Sequence, residues 1–379
     1  MTEAFGNWYR GQRVLVTGNS GFKGSWLTEW LLLLGAEVVG YSVGPPTSPA
    51  LFEQLGLTGR LQHVLGDVRD GSALAQMLEE TKPTCIFHLA AQPIVRTSYV
   101  QPVETIATNV MGTVNLLEAV RQSGRPCVVV VITTDKCYEN REWVHSYREN
   151  DSLGGHDPYS ASKACSELVV SAYRRSFFSA PGNQVRLASA RAGNVVGGGD
   201  WAADRIVPDS MRALQRGEPI IVRNKDATRP WQHVLEPLSG YLWLGACLAR
   251  PELAPGGREA PVTSFNFGPA ISANRSVGRL VDEILRHWPG QWEDRSEAKP
   301  VHEANLLNLA TDKAYHLLGW RPVWEFATSI EQTVRWYRAA MDAGAGVDAS
   351  GRIQAFTRGQ IDLYQADARA QRLPWIMAR

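Results

Sequence analysis

Tyr159 and Lys163 stand four residues apart in Tyr159-Ser160-Ala161-Ser162-Lys163, the spacing that puts two side chains on one face of a helix. A phenol next to an ammonium is acid–base chemistry, because nearby positive charge favours the phenolate. By itself the pattern also arises by chance as an exposed helical pair. A second reactive run, Thr134-Asp135-Lys136, closes the valine-rich stretch 127–133. A threonine hydroxyl there can share a substrate oxygen with Tyr159. The aspartate and lysine after it are a proton donor and acceptor, or else a solvated turn pair.

A third motif supplies the partner for this chemistry. Gly18-Asn19-Ser20-Gly21-Phe22-Lys23-Gly24 follows the apolar run 13–17 and precedes a helix-like segment at 22–34. Gly18 permits a tight turn, Gly21 a close approach of backbone to a pyrophosphate, and Gly24 close helix–strand packing. The helix start adds unpaired amides and a favourable dipole for an anion. The motif predicts a dinucleotide site, and a sharp turn needing small residues does not explain three glycines at this spacing. No acidic residue ends the second strand, at Tyr41-Ser42-Val43, and no Arg or Lys lies between Lys23 and Arg60 to meet a 2′-phosphate, so NAD is expected rather than NADP. Asp67 and Val68 are candidates for the adenine, with an ordinary turn aspartate as the alternative. Leu89, Ala90 and Ala91 are small enough for the chain to pass beside the cofactor, whereas His88 reads as a satisfied core histidine. Next to an oxidised nicotinamide, Tyr159 and Lys163 become a hydride-transfer site.

Certain elements must hold these groups. Strand-like runs at 13–17, 36–41, 62–65, 84–89 and 127–133 alternate with helix-like segments at 22–34, 72–82 and 103–122. Such alternation with buried-type strands predicts an α/β fold, a Rossmann-like doubly wound parallel sheet. Beyond Arg191 the pattern loosens, and 275–288 and 328–341 look helical. The expected division is an NAD-binding domain over 1–190 and a smaller α/β substrate-binding domain over 191–379, with interleaved segments. Past Gly344 the pattern is unclear, though Phe356, Tyr364 and Trp375 suggest packing.

The chain resembles the extended short-chain dehydrogenase/reductases over nearly its whole length. Within them it is similar to the nucleotide-sugar dehydratases that act on CDP-glucose. The stretches that carry this are Gly21-Phe22-Lys23-Gly24-Ser25-Trp26, the segments 45–52 and 134–143, and Gly197-Gly198-Gly199-Asp200-Trp201. The wider dehydratases have Thr-Asp-Glu where this chain has Thr134-Asp135-Lys136. The resemblance implies NAD as cofactor, CDP-glucose as substrate, and substrate contacts from Gln92, Asn109, Asn194, Arg205 and Arg229. Asn109 would structure the site, and the guanidinium forks suit a diphosphate.

The implied reaction oxidises carbon 4, eliminates water across carbons 5 and 6, and returns the hydride to carbon 6. Asp135 in its acid form would protonate the leaving hydroxyl. Lys136 would be the carbon-5 base, or would stay charged while Glu139 or a water takes the proton. A 4-epimerase, or a non-catalytic nucleotide sensor on the same fold, are the rival readings. Neither needs an acid/base pair for elimination.

Composition bounds the rest. With 39 Lys and Arg against 38 Asp and Glu in 379 residues, the net charge of +1 gives no reason to expect nucleic acid or an anionic membrane as partner. The five cysteines are odd in number and scattered, which reads as buried free thiols. No His/Cys spacing suggests a metal. Residues 1–10 lack the basic-then-apolar order of a signal peptide, and the longest apolar run is too short to span a bilayer, so the cytoplasm is expected. Helices flanking such sheets often pair, which implies a homodimer or homotetramer.

Overall fold

Strands that are apolar on successive residues have to be covered on both faces. The run Val128–Ile132 shows how: Val128, Val130 and Ile132 enter one core while Val129 and Val131 enter another. The computed structural model describes residues 4–257, 259–296, 306–344 and 347–378; residues 1–3 of the amino-terminal stretch read above lie outside them. Seven strands form one sheet: β1 (Arg13–Thr17), β2 (Glu37–Ser42), β3 (Gln62–Leu65), β4 (Cys85–His88), β5 (Cys127–Thr134), β6 (Val185–Ala192) and β7 (Ser264–Phe267). The order is β7-β6-β5-β4-β1-β2-β3, and every pairing is parallel. The order reverses at the β1–β4 pair, where Thr17 lies opposite His88. In open α/β sheets ligands bind outside the strand ends at such a reversal.

The helices follow their sequence signals. α1 (Phe22–Leu33) begins at the last glycines of the turn. α2 (Gly71–Thr81) is capped by Asp70, whose carboxylate accepts the amides of Ser72 and Ala73, both at 3.0 Å. α3 (Gly112–Ser123) continues a broken helix: the single helix expected over 103–122 is a helical turn at Pro102–Ile106 and a π-turn at Ala107–Met111 before α3. π-turns of this kind gather at functional sites, and this one carries Asn109. α4 (Pro158–Tyr173) starts with proline at its first position and Asp157 as cap, accepting the Ser160 amide at 2.9 Å. α2, α3 and α4 cover one face through Leu74, Leu78, Leu116, Leu117 and Val170.

The other face is covered by α1 and by a helix from the second half, α6 (Leu235–Ala249), which follows α5 (Ile206–Arg216). Trp26 and Trp30 of α1, Leu238 and Leu242 of α6, and Val14, Val16 and Phe87 of the sheet share this core. The second half thus contributes both β7 and α6 to the sheet's own packing. Further helices include α7 (Val277–His287), α8 (Phe326–Ala343) and α9 (Val347–Ala370). Tyr364 of α9 stacks on Trp375 at 5.9 Å, and Trp375 stacks on Phe5 at 5.1 Å, so the tail folds back onto the amino terminus. Four of the free cysteines are buried; Cys165 is exposed, which corrects the reading of all five as buried. It is two residues from the inward-facing Lys163 and so points away from the sheet.

Candidate active site

The glycine turn is shaped as its spacing predicts. Gly18 has φ +71°, and a Cβ there would lie 2.8 Å from the Ala90 amide nitrogen. β1 and the end of β4 therefore close on one another through a residue that has no side chain. A Cβ on Gly24 would come to 2.1 Å from the Gly18 carbonyl oxygen, so α1 can start only if this residue is glycine. At Gly21 the nearest atom stands 3.4 Å away, which leaves the open ground that a pyrophosphate needs. Ser20 ties the turn to the end of β2, donating to the Gly44 carbonyl at 2.7 Å. Asn19 is fully buried against Gly40, and both atoms of its amide lack partners among the described residues. These observations fit a dinucleotide at the reversal of strand order.

The remaining cofactor candidates divide. Leu89 donates its amide to Thr17 O, and Ala90 donates to the Thr17 hydroxyl at 3.2 Å, so the strand end is locked beside the turn, with Ala91 following. His88 is a satisfied core residue: its ring nitrogens meet the Thr17 and Thr113 hydroxyls at 2.8 and 3.3 Å. Burial pushes its pKa to about 3, with the Lys163 charge adding to the shift. The Asp67 carboxylate holds the amide and guanidinium of Arg69, the first cause of its lowered pKa, and Val68 is buried against Gly112. Asp67 thus sits in a turn just past β3, paired with Arg69.

The catalytic candidates converge at the carboxyl end of β5. Thr134 is its last residue, and its hydroxyl donates to Asp135 Oδ1 at 2.9 Å. Asp135 is 1% exposed, and its Oδ1 lies 3.7 Å from Lys136 Nζ. A Cβ on Gly193 would stand 2.7 Å from its other oxygen, Oδ2, so the residue after β6 must be glycine for the carboxylate to fit. Tyr159 and Lys163 face inward from α4, both buried. Tyr159 hydrogen bonds with the Thr134 hydroxyl, yet burial dominates and its pKa is pushed up to about 12. Thr134 and Arg205 pull the phenol down, and burial outweighs them. The Lys163 ammonium donates to the Ile132 carbonyl at 3.5 Å and is itself pushed down to about 8 by burial, against the pull of Glu167.

Lys23, in the glycine turn, shares the electrostatics of this group. Burial and nearby Arg205 lower its pKa to about 8, with Asp135 opposing and Lys163 adding to the fall. Arg205 precedes α5 and donates to Asp200 at 2.9 Å while facing Tyr159. Asn109 and Gln92 brace the scaffold, as expected of Asn109. Asn109 spends its amide on both backbone groups of Gln92 and on Ser162, and the Gln92 amide is spent on Thr105 and Ile94. The π-turn thereby fixes the loop after β4 to α4 beside Lys163. Asn194 presents a buried amide nitrogen, without a partner among the described residues, just past β6. Arg229 lies on a separate ribbon, 228–230 paired with 274–276, and donates to the Thr228 carbonyl at 2.7 Å. Glu139 is exposed, its amide donated to Ser152 O.

Sequence reasoning missed two features. Beneath the strand ends, Glu167 accepts Thr133, Ser189 and Arg191, while Arg191 also donates to the Tyr138 hydroxyl, which donates on to Asn266. Tyr241 of α6, fully buried, brings the second half of the chain under the Lys23 ammonium, 6.0 Å from it. Neither has a local spacing signal. An open hollow of about 650 Å³ lined by Arg13, Glu37, Arg60 and Thr81 lies at the amino ends of β1 and β2, the opposite end of the sheet from this chemistry.

A seven-stranded parallel sheet with a phosphate cradle at its reversal and a Tyr/Lys helix beside β5 defines a dinucleotide-dependent enzyme of the short-chain dehydrogenase/reductase type. The chain belongs to the GDP-mannose 4,6 dehydratase family, whose model matches residues 15–333. It is 48% identical over 339 residues to the CDP-glucose 4,6-dehydratase of Salmonella typhimurium, covering 88% of this chain and 92% of that one. The dTDP-glucose 4,6-dehydratase of Streptomyces venezuelae, solved with NAD, superposes with a TM-score of 0.73 at 28% identity, over 86% of this chain and 97% of that one. The UDP-glucose 4-epimerase of Thermotoga maritima shares the fold, with a TM-score of 0.71 at 21% identity over 87% and 99% of the two chains.

Proposed function

We propose that this protein is an NAD-dependent hydro-lyase that converts CDP-glucose to CDP-4-dehydro-6-deoxyglucose. The observation that carries the reading is the Asp135–Lys136 pair at 3.7 Å, set beside Tyr159 at the end of β5. A 4-epimerase shares the fold but has no use for an acid/base pair at carbons 5 and 6. The 48% identity to a CDP-glucose 4,6-dehydratase supports the same choice, and it alone supports cytosine over other bases.

Bound NAD supplies the hydride acceptor for carbon 4 and the donor for carbon 6, and its positively charged ring is the cation that favours the Tyr159 phenolate. Tyr159 takes the proton of the 4-hydroxyl while Thr134 holds the same oxygen. The resulting ketone acidifies carbon 5. Asp135 in its acid form then gives its proton to the departing 6-hydroxyl, which leaves as water as the carbon-5 proton is lost. Lys136 is the base, or stays charged and stabilises the enolate while Glu139 or a water removes the proton. Its approach to the Asp135 carboxylate supports the electrostatic role, and the exposure of Glu139 makes water the simpler base. Asn194, Arg205 and Arg229 are proposed to hold the nucleotide diphosphate, and the 191–379 half to supply most substrate contacts.

We further propose a cytoplasmic homodimer or homotetramer. Among the described residues no helix is long and apolar enough to cross a membrane. Exposed Val100, Val103, Met111 and Leu168 on helices beside the sheet offer an apolar face for a second copy. The test is direct: incubate the protein and NAD with CDP-, dTDP-, UDP- and GDP-glucose and follow the 4-keto-6-deoxy product. Product from CDP-glucose is expected, and no product from any of the four overturns the reading.

A further inference from the structure

The buried Glu167–Arg191 pair is bonded to the chain on both sides of Thr134-Asp135-Lys136. Thr133 lies opposite Arg191 in the β5–β6 register, and its hydroxyl donates to Glu167 Oε1. The other oxygen, Oε2, accepts Ser189 Oγ at 2.7 Å and Arg191 Nη2 at 2.8 Å. Arg191 Nη1 donates to the Tyr138 hydroxyl at 2.7 Å and to the Glu149 carbonyl at 3.1 Å. Tyr138 donates in turn to Asn266 Oδ1 of β7 at 2.7 Å and stacks on Tyr147 at 5.2 Å. The residue before the reactive tripeptide and the second one after it thus share a single anchor. Glu167 also stands one helical turn from Lys163 on α4, and Lys163 meets the Ile132 carbonyl at 3.5 Å. Consecutive residues of β5 are therefore docked on the helix that carries Tyr159.

We propose that Glu167 and Arg191 are positioning residues for the elimination step: through Thr133 and Tyr138 they fix the Asp135–Lys136 turn relative to Tyr159. The proposal rests on the dehydratase function given above. Stability alone is a poor reason for the pair, because desolvating two charges cancels most of their attraction and apolar groups of equal volume do as well. Val129, Val131 and Leu187 on the same face are such groups. Arg191 Nε is buried without a partner among the described residues, so this is not the most stable filling of the space. What an apolar filling cannot supply is directed hydrogen bonds. The turn Asp135–Cys137 is a single 3₁₀ turn, and its acid and base act only within reach of carbons 5 and 6.

Thr133→Val and Tyr138→Phe each cut one link, keep the side-chain volume and leave the ion pair in place. The test measures CDP-glucose dehydration by the full-length enzyme with saturating NAD. Expected in each variant is a fall in kcat of about ten- to a hundredfold with KM within about threefold. In Tyr138→Phe, reduced cofactor should accumulate during turnover, seen by its near-ultraviolet absorbance. Tyr159 still oxidises carbon 4 there, while elimination lags. Loss of folded protein would slow both steps alike and give no such signal. Thr133→Ser keeps the hydroxyl and should restore most of kcat, and the double variant should be less than additive because both links share one anchor. Unchanged kcat in both single variants overturns the proposal. So does a loss that follows the unfolded fraction in denaturant titrations with no reduced cofactor, or a Thr133→Ser enzyme as slow as Thr133→Val. Failure of the unmodified enzyme to make any 4-keto product would instead sink the function on which the proposal rests.

Discussion

Tyr159 and Lys163 are both at odds with water: burial raises the phenol to about 12 and lowers the amine to about 8. Tyr159→Phe should reduce kcat for CDP-glucose about 10²- to 10⁴-fold, the usual worth of a general base, while nucleotide-sugar binding measured calorimetrically persists. Binding lost together with turnover would contradict that role. The folded Lys163 pKa lies below its ordinary 10.5, so between about 8 and 10.5 the unfolded chain binds more protons and stability rises with pH. Against Lys163→Met, the unmodified protein should gain about 2 kcal/mol of unfolding free energy between roughly pH 7.5 and 10. Denaturant titrations at the two pH values check this, and a flat difference would refute it. For Lys136, replacement by Met followed by solvent deuterium exchange at carbon 5 separates its two roles: unchanged exchange rules out the base.

At the level of elements, the turn between β1 and α1 separates packing glycines from a ligand glycine. A Cβ on Gly24 meets backbone at 2.1 Å, whereas one on Gly21 meets nothing nearer than 3.4 Å. Gly24→Ala should therefore lower stability by about 1–3 kcal/mol as the turn is forced open. Gly21→Ala should leave the melting temperature nearly unchanged yet weaken NAD binding at least tenfold, because the methyl takes the phosphate's place. Equal destabilisation in the two variants would contradict this division. The π-turn at Ala107–Met111 is the element the sequence concealed, since helical periodicity at 103–122 looks the same with one extra residue in a turn. Its effect is visible only in three dimensions, where Asn109 joins Gln92 to Ser162.

Across the whole molecule, the tail past Gly344 is part of the core. α9 carries two glycines and only a weak apolar stripe, so its sequence barely announces a helix. Packing against α1 and the amino terminus makes it one, with Tyr364 and Trp375 fully buried and Phe5 stacked on Trp375 at 5.1 Å. Trp375→Ala should cost about 3–5 kcal/mol of stability, because the cavity would open between the two chain ends. A loss under about 1 kcal/mol in chemical denaturation would mean that the tail is not part of the cooperative unit.

The sequence by itself determined what is local. A glycine every third residue, a tyrosine and lysine one helical turn apart, and valine runs of strand length are short-range patterns, and they specified the sheet, the cradle and the Tyr159/Lys163 helix. The tertiary structure decided what depends on residues far apart in the chain. Lys23 of α1 stands over the Tyr241 ring of α6, β7 joins β6 from the second half, and burial sets the charge preferences of Tyr159, Lys163 and Lys23. Spacing encodes which groups can share a face, while desolvation and long-range contact determine which of them hold a proton.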